Sequence, residues 1–167
     1  MSLNSTPLAG RVQIGLFGRR NAGKSSLINA LTKQDLAIVS EIPGTTTDPV
    51  SKTMELLPLG PVVLIDTAGL DDDSKLGQQR IQKTLQILEK IDIALLVIEG
   101  LAPLTEIEKD LLADFEKREI AYVIVRNKLD LCPQPQNATG KNEIWVSAIT
   151  GAQIGELLEK IAHLTPL

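Results

Sequence analysis

The stretch GRRNAGKS, Gly18 to Ser25, decides the fold of this chain. It follows the apolar and β-branched run Arg11 to Phe17 and precedes a segment with helical spacing of apolar residues. Gly18 and Gly23 have the spacing of a phosphate-binding loop, in which successive backbone N–H groups curl inward around an anion. The positive end of a helix that begins near Lys24 strengthens that attraction. The sequence therefore predicts a strand, a phosphate-binding loop and a helix in this order.

The residue types in this loop suit a triphosphate. Lys24 is expected to reach the β- and γ-phosphates, and the Ser25 hydroxyl is expected to ligate Mg²⁺. A glycine-rich turn capped by serine would have a similar sequence, but the predicted flanking strand and helix favour the phosphate-binding loop. The other positions expected to line the nucleotide are Gly18, Arg19, Arg20, Asn21, Ala22, Gly23 and Ser26.

A second motif, DTAG at Asp66 to Gly69, comes after the apolar run PVVLI. Its position puts a carboxylate at the end of a predicted strand, where Asp66 can hold Mg²⁺ through water. Gly69 can then offer its backbone N–H to the γ-phosphate. A D-x-x-G motif alone is a weak signal, and its place after a buried strand makes it persuasive.

The motif NKLD, Asn127 to Asp130, directly follows the strand-like run AYVIVR. Guanine presents an N1–H and a 2-amino group side by side, and the carboxylate of Asp130 can accept from both. Adenine offers neither donor there, so ATP would leave that carboxylate buried and unpaired at a large cost. Asn127 is expected to tie this loop to the phosphate loop, and Lys128 to lay its stem along the base.

The pair Ser147 and Ala148 follows the last predicted strand, where the Ala148 N–H could donate to guanine O6. Each of these short motifs alone can be an ordinary turn. Their order, each after a predicted strand, indicates a guanine-nucleotide site.

Short apolar runs alternate with stretches of helical periodicity from residue 11 onward. We expect an α/β domain at residues 11–167, with a six-stranded, mostly parallel sheet and helices on both faces. Residues 1–10 are interpreted as an N-terminal extension or expression remnant. The predicted strands are Arg11 to Phe17, Ser51 to Leu57, Val62 to Asp66, Asp92 to Ile98, Ile120 to Arg126 and Glu143 to Val146. The predicted apolar helix faces are Ile81, Leu85 and Leu88; Ile107, Leu111 and Phe115; and Ile154, Leu157, Leu158 and Ile161.

Two pairs of polar residues are candidate capping boxes at helix starts, Thr105 with Glu108 and Thr150 with Gln153. Two segments, Gln34 to Pro49 and Thr67 to Gly77, lack apolar periodicity and are predicted to be functional loops.

Composition limits the classes of function. Only 2% of the 167 residues are aromatic, and the single Cys and single His exclude an internal disulfide, a structural zinc site and an iron–sulfur cluster held by this chain alone. A net charge of −4, without a basic stripe, argues against a nucleic-acid partner. No apolar run is long enough for a bilayer and no secretory signal opens the chain, so we expect a cytoplasmic protein with no membrane partner.

The order GRRNAGKS, a Thr-rich loop, DTAG, NKLD and SA resembles the Ras-like P-loop GTPase fold over essentially the whole chain. Asn21 together with PGTTTD is similar to the potassium-dependent bacterial branch that includes tRNA-modification and ribosome-assembly GTPases. Closer still, EIPGTTTDPV joined to LPLGPVVLIDTAGLDD resembles the GTPase domain of the iron-only hydrogenase maturation factors, the HydF family.

This resemblance implies GTP or GDP as ligand, with Mg²⁺ and K⁺ as cofactors. It implies that Thr46 is the switch I ligand to Mg²⁺, beside Ser25 and Asp66, although the neighbouring threonines stay open as alternatives. It implies that Asn21 binds K⁺, and that Lys24, Thr46 and Gly69 are the catalytic set. The implied partners are other domains of a longer maturation scaffold, hydrogenase or maturase proteins, and a second copy in a nucleotide-dependent or domain-mediated homodimer.

The expected function is slow, potassium-stimulated GTP hydrolysis that acts as a conformational switch in hydrogenase maturation. Hydrolysis is expected to be slow because Leu70 stands where many small GTPases carry a water-orienting glutamine, and DDDSKLG holds no glutamate. One alternative is a tRNA-modification or ribosome-assembly GTPase of the same branch. Another is a nucleotide-gated interaction module with negligible turnover.

Overall fold

The computed structural model describes residues 12–18, 23–32, 39–41, 51–56, 59–66, 77–100, 102–127 and 142–164. This part of the chain contains seven strands and four helices. The strands are β1 (Val12–Gly18), β2 (Val39–Glu41), β3 (Ser51–Leu56), β4 (Gly60–Asp66), β5 (Ile93–Glu99), β6 (Ala121–Asn127) and β7 (Glu143–Trp145). The helices are α1 (Lys24–Thr32), α2 (Gly77–Lys90), α3 (Glu106–Lys117) and α4 (Ile154–Leu164).

The described strands form one mixed sheet in the order β2-β3-β4-β1-β5-β6-β7. β1 pairs in parallel with β4 and β5, and β5, β6 and β7 continue the parallel run. β3 runs antiparallel to both β2 and β4. The prediction of a mostly parallel α/β sheet is thus confirmed, and all six predicted strands are present with ends shifted by no more than two residues.

The sheet has one short strand more than predicted. Val39–Glu41 pairs with β3, with Ser40 opposite Thr53. It lies inside a segment predicted to be a loop, because three residues are too few to show alternation of apolar and polar side chains.

Helices cover the sheet on both faces, as predicted. Along β5, Ile93, Leu95 and Val97 belong to a core cluster with α1 and α4, whereas Ala94, Leu96 and Ile98 belong to a second cluster with α2 and α3. This alternation follows from the period of two in a strand. Since both faces are buried, β5 is apolar from Ile93 to Ile98.

The apolar face predicted for α4 is confirmed, because all four of its residues are buried. The prediction that Leu85 and Ile107 belong to the core is wrong, because Leu85 is 38% exposed and Ile107 is 54% exposed. With about 100° between successive helical residues, Leu85 stands at the edge of the stripe centred on Ile87 and Leu88. In α3 the buried stripe runs through Glu108, Leu111 and Phe115, so Ile107 falls on its solvent side.

Of the two predicted capping boxes, one forms. Thr105 Oγ1 accepts from the Glu108 N–H at 3.2 Å, and Glu108 Oε1 accepts from the Thr105 N–H at 2.8 Å. The second prediction is wrong, because α4 begins only at Ile154, after Gln153 with φ of 62°. Gln153 Nε2 instead donates to the Trp145 carbonyl at 2.7 Å.

Among the described residues, no helix combines the length and apolar character that crossing a membrane requires.

Candidate nucleotide site

The candidate site lies at the edge of the sheet where the parallel strands end. β1 ends at Gly18, β4 at Asp66 and β6 at Asn127. Leu16 is opposite Asp66 across β1 and β4, and Glu99 is opposite Asn127 across β5 and β6. The carboxyl ends of parallel strands are where open α/β sheets bind ligands. The topology therefore brings motifs that are distant in sequence to one edge.

Gly18 allows the chain to leave β1 for the phosphate loop. Its φ is 143°, and a Cβ there would lie 2.5 Å from the Val97 carbonyl oxygen of β5. Both the backbone conformation and the close approach exclude a side chain at this position.

Gly23, the last glycine of the predicted phosphate loop, lies against the first residue of the NKLD motif. Its φ is 96°, and a Cβ at this position would overlap Asn127 Nδ2. Asn127 is itself only 3% exposed at the end of β6. The first residue of NKLD thus lies directly against the last glycine of the phosphate loop.

Helix α1 begins at Lys24, with the Leu27 N–H donating to the Gly23 carbonyl at 2.8 Å. Lys24 is 5% exposed, whereas Ser25 and Ser26 are exposed on the first turn. A cation at the positive end of a helix is unfavourable, and its burial adds a desolvation cost. A phosphate beside Lys24 would offset both costs, so this end of α1 fits a polyphosphate.

Asn127 connects three segments of the site. Its backbone carbonyl accepts from the Gly100 N–H at 2.9 Å, and its Oδ1 accepts from the Ala148 N–H at 3.1 Å. Its Nδ2 faces Gly23. One buried amide therefore contacts the phosphate loop and the turn that follows β7.

The turn after β7 is closed by its own hydrogen bonds. The Gly151 N–H donates to the Ser147 carbonyl at 2.8 Å, and the Ser147 N–H donates to the Ala152 carbonyl at 3.0 Å. The Thr150 N–H donates to Ser147 Oγ at 3.1 Å, and Ser147 is fully buried. The Ala148 N–H, predicted to donate to guanine O6, donates to Asn127 in this arrangement, and a contact to the base would share or replace that bond.

Several predicted site residues lie outside the described part of the chain. For Asp66 the structure places the backbone at the end of β4 and does not describe the side chain. The others are Arg19, Arg20, Asn21, Ala22, Thr46, Gly69, Lys128 and Asp130.

Of the predicted Mg²⁺ ligands, Ser25 has its side chain in the described part of the chain. Ser25 presents a hydroxyl on the exposed first turn of α1, which is the chemistry Mg²⁺ requires next to phosphates. The described residues hold no group of three or more His, Cys, Asp or Glu able to bind a metal by themselves. The position of Ser25 fits an ion that is bound jointly by its hydroxyl and by nucleotide phosphates.

Arg126 is a polar residue of this edge that the sequence interpretation passed over. Its Nε donates to Glu143 Oε1 at 2.6 Å, and its Nη1 donates to the carbonyls of Gly100 and Ala102 at 2.9 and 3.1 Å. A charged residue inside the otherwise apolar strand-like run AYVIVR, directly before NKLD, is the signal that could have revealed it.

Comparison with known proteins agrees with this geometry. The family described as 50S ribosome-binding GTPase matches residues 13–128, more than half of the chain. The tRNA modification GTPase MnmE of Nitrosospira multiformis is 36% identical over 162 residues, covering 92% of this chain and 35% of that protein. GTPase Der of Campylobacter concisus is 42% identical over 123 residues, covering 71% of this chain and 26% of that protein. The chain thus spans about a third or less of the curated relatives it matches.

Solved structures share the fold. Era of Aquifex aeolicus bound to GDP and AlF4⁻ superposes with a TM-score of 0.68 at 24% identity, covering 93% of this chain and 57% of that one. The G domain of the T. maritima FeoB iron transporter gives a TM-score of 0.64 at 24% identity, covering 92% and 98%. The family match over residues 13–128 shows that the chain belongs to the family described as 50S ribosome-binding GTPase and is a GTP-binding GTPase domain.

Proposed function

We propose that this domain is a switch in which one buried amide, that of Asn127, couples the triphosphate to the guanine. The supporting observation is the pair of contacts that Asn127 makes, with Gly23 of the phosphate loop and with the Ala148 N–H. A ligand that contacts both loops at once gains binding free energy from both, so nucleoside triphosphates with the correct base are favoured over free phosphate.

In the proposed mechanism the protein positions and neutralises charge. Lys24 and the N–H groups at the start of α1 bind the β- and γ-phosphates, and Ser25, Thr46 and Asp66 would hold Mg²⁺. That ion, when bound, neutralises the charge that develops between the two phosphates. Thr46 and Gly69 would contact the γ-phosphate side, so hydrolysis releases the segments that carry them. The output is a change in partner binding.

Slow turnover with stimulation by potassium is part of the same proposal. The proposal of slow turnover rests on Leu70, which follows Gly69 at the position where many small GTPases carry a glutamine that orients the attacking water. The proposal of potassium stimulation rests on Asn21 in the predicted phosphate loop. The test is single-turnover GTP hydrolysis in potassium and in sodium at equal ionic strength, with Asn21→Ala in parallel. Faster hydrolysis in potassium, lost in Asn21→Ala, is expected. Rates equal to the protein-free control in both salts would instead favour the interaction module without turnover.

For the physiological setting we propose tRNA modification or ribosome assembly. The relative named tRNA modification GTPase MnmE and the family described as 50S ribosome-binding GTPase support this, and they favour it over hydrogenase maturation, which the sequence interpretation had placed first. None of the relatives or solved structures named above is a hydrogenase maturation factor.

Hydrogenase maturation is retained as a second candidate because of one observation, the stretch EIPGTTTDPV together with LPLGPVVLIDTAGLDD. Deletion of the natural gene, followed by nucleoside analysis of tRNA, ribosomal subunit profiles and hydrogenase activity, separates the candidates. A changed nucleoside or subunit profile with normal hydrogenase activity is expected. Loss of hydrogenase activity with unchanged RNA profiles would establish the second candidate instead.

A further inference from the structure

The guanidinium of Arg126 joins three segments at the end of β6. On one side it donates to the carbonyls of Gly100 and Ala102, in the turn after β5. On the other side it pairs with Glu143 of β7 at 2.6 Å and lies 5.8 Å from the centre of the Trp145 ring. A single side chain thus bridges from the β5 end to β7, across the strand that carries it.

These contacts are sheltered from solvent. The side chains of Arg126 and Glu143 are 17% and 12% exposed, so their attraction is less screened than that of a surface ion pair. By contrast, the Lys109–Glu106 pair on α3 has side chains 57% and 87% exposed. The rigid fork of arginine also suits this position, because its separate N–H groups serve a carboxylate and two carbonyls at the same time.

The bridge surrounds the residue next in sequence, Asn127. The Gly100 N–H donates to the Asn127 carbonyl at 2.9 Å, while the Gly100 carbonyl accepts from Arg126. The Val146 N–H donates to the Arg126 carbonyl at 2.9 Å, just before the turn whose Ala148 N–H donates to Asn127. Arg126 therefore bonds to the turn after β5 and to β7. The turn after β5 and the turn that follows β7 both contact Asn127.

We propose that Arg126 is a positioning residue for guanine recognition. It fixes the end of β6 between its neighbours, so that Asn127, the first residue of the predicted base reader, is held in one orientation. The inference rests on the proposed role of the NKLD motif as base reader. Arg126 itself touches no nucleotide in this proposal and acts through Asn127.

A purely structural role would stabilise the sheet without affecting base selection, and the two roles can be separated by measurement. The readout is the ratio of dissociation constants for GDP and inosine diphosphate, which lacks the 2-amino group. That ratio reports how well the base reader is placed, and it is independent of the phosphate contacts that both ligands share. Wild type is expected to favour GDP by about 10- to 100-fold, as for hydrogen bonds to a charged acceptor.

Two variants and two controls make the test. Arg126→Met keeps the apolar stem and removes every donor, and Arg126→Lys keeps the charge but loses the fork. Arg118→Met removes an exposed arginine at the end of α3. Val123→Ala weakens β6 at a fully buried position away from its end, so it controls for lost stability alone.

For Arg126→Met the preference for GDP is expected to fall at least about threefold and the GDP dissociation constant to rise about tenfold. Arg126→Lys should be intermediate. Both controls should keep the wild-type preference, even though Val123→Ala melts at a lower temperature. If Arg126→Met melts earlier but keeps the wild-type preference, Arg126 is only structural and the inference is overturned. If wild type itself binds both ligands equally, the proposed base reader fails, and the inference fails with it.

Discussion

Gly23 and Asn127 lie so close together that a single added carbon on Gly23 would overlap Asn127 Nδ2. The two residues are more than a hundred positions apart in sequence, and they belong to the phosphate loop and to the predicted base reader. Because the contact leaves no free space, displacement of one motif displaces the other. If the two motifs have the proposed roles, this contact links the binding of phosphate to the reading of the base.

Substitution Gly23→Ala tests that contact. The new methyl group meets Asn127 and also forces alanine into a φ of 96°, which costs roughly 1–2 kcal/mol. We expect GDP affinity to fall about 100-fold or more, as measured by calorimetry, because both loops must move. Gly60→Ala is a matched control, since Gly60 has a similar φ of 88° but no atom within 4 Å of its added carbon. Equal GDP affinity in the two variants would mean that the Gly23–Asn127 contact has no role in binding.

Substitution Asn127→Ala removes the bond to the Ala148 N–H and the contact with the phosphate loop. The part-buried Ala148 N–H loses its acceptor, which costs roughly 1 kcal/mol, so both the free energy of unfolding and GDP affinity should fall. Urea unfolding in the presence and absence of GDP measures both quantities. Stabilisation by saturating GDP that is as large as in wild type would contradict the proposed coupling.

Asp130→Asn should change which base is bound. An amide presents one acceptor and one donor where the carboxylate presents two acceptors, so it pairs poorly with guanine and better with xanthine. We expect the dissociation constant for GDP to rise at least about tenfold while that for xanthosine diphosphate falls. Unchanged GDP affinity would remove Asp130 from the base-reading role.

The capping box of α3 should affect stability alone. Thr105→Ala removes the acceptor for the Glu108 N–H and should lower the free energy of unfolding by about 1 kcal/mol. Thr105→Ser keeps a hydroxyl and serves as the control. GDP affinity is expected to stay at the wild-type value in both variants, and a loss of affinity in Thr105→Ala would show that α3 is coupled to the site.

The sequence predicted the sheet well because its central strands are buried on both faces. Runs such as IALLVIE in β5 contain almost no polar residue, so their ends are easy to place. The buried faces of the helices were harder to predict, because a period of 3.6 residues does not define how wide the buried stripe is. For that reason Leu85 and Ile107, which are exposed, were predicted to belong to the core. The Thr150–Gln153 pair has the spacing of a capping box, but the left-handed conformations of Gly151 and Gln153 delay the helix.

For the site, spacing predicted the chemistry of each motif but not their mutual contacts. The Gly23–Asn127 packing depends on how β1 and β6 are placed on either side of β5. Arg126 was passed over because its partners, Gly100, Ala102 and Glu143, lie 17 to 26 positions away in sequence. Local sequence patterns carry no information about such bridges, because the bridges depend on which strands are neighbours in the sheet.

The decisive measurement is calorimetric titration of the purified chain with GTP and with ATP in the presence of Mg²⁺, with Lys24→Ala in parallel. Lys24 is buried at the start of α1, where a polyphosphate offsets its cost. We expect tight binding of GTP, at least about 100-fold weaker binding of ATP, and no detectable binding by Lys24→Ala. Equal affinity for GTP and ATP, or undiminished binding by Lys24→Ala, would contradict a phosphate loop coupled to a guanine reader.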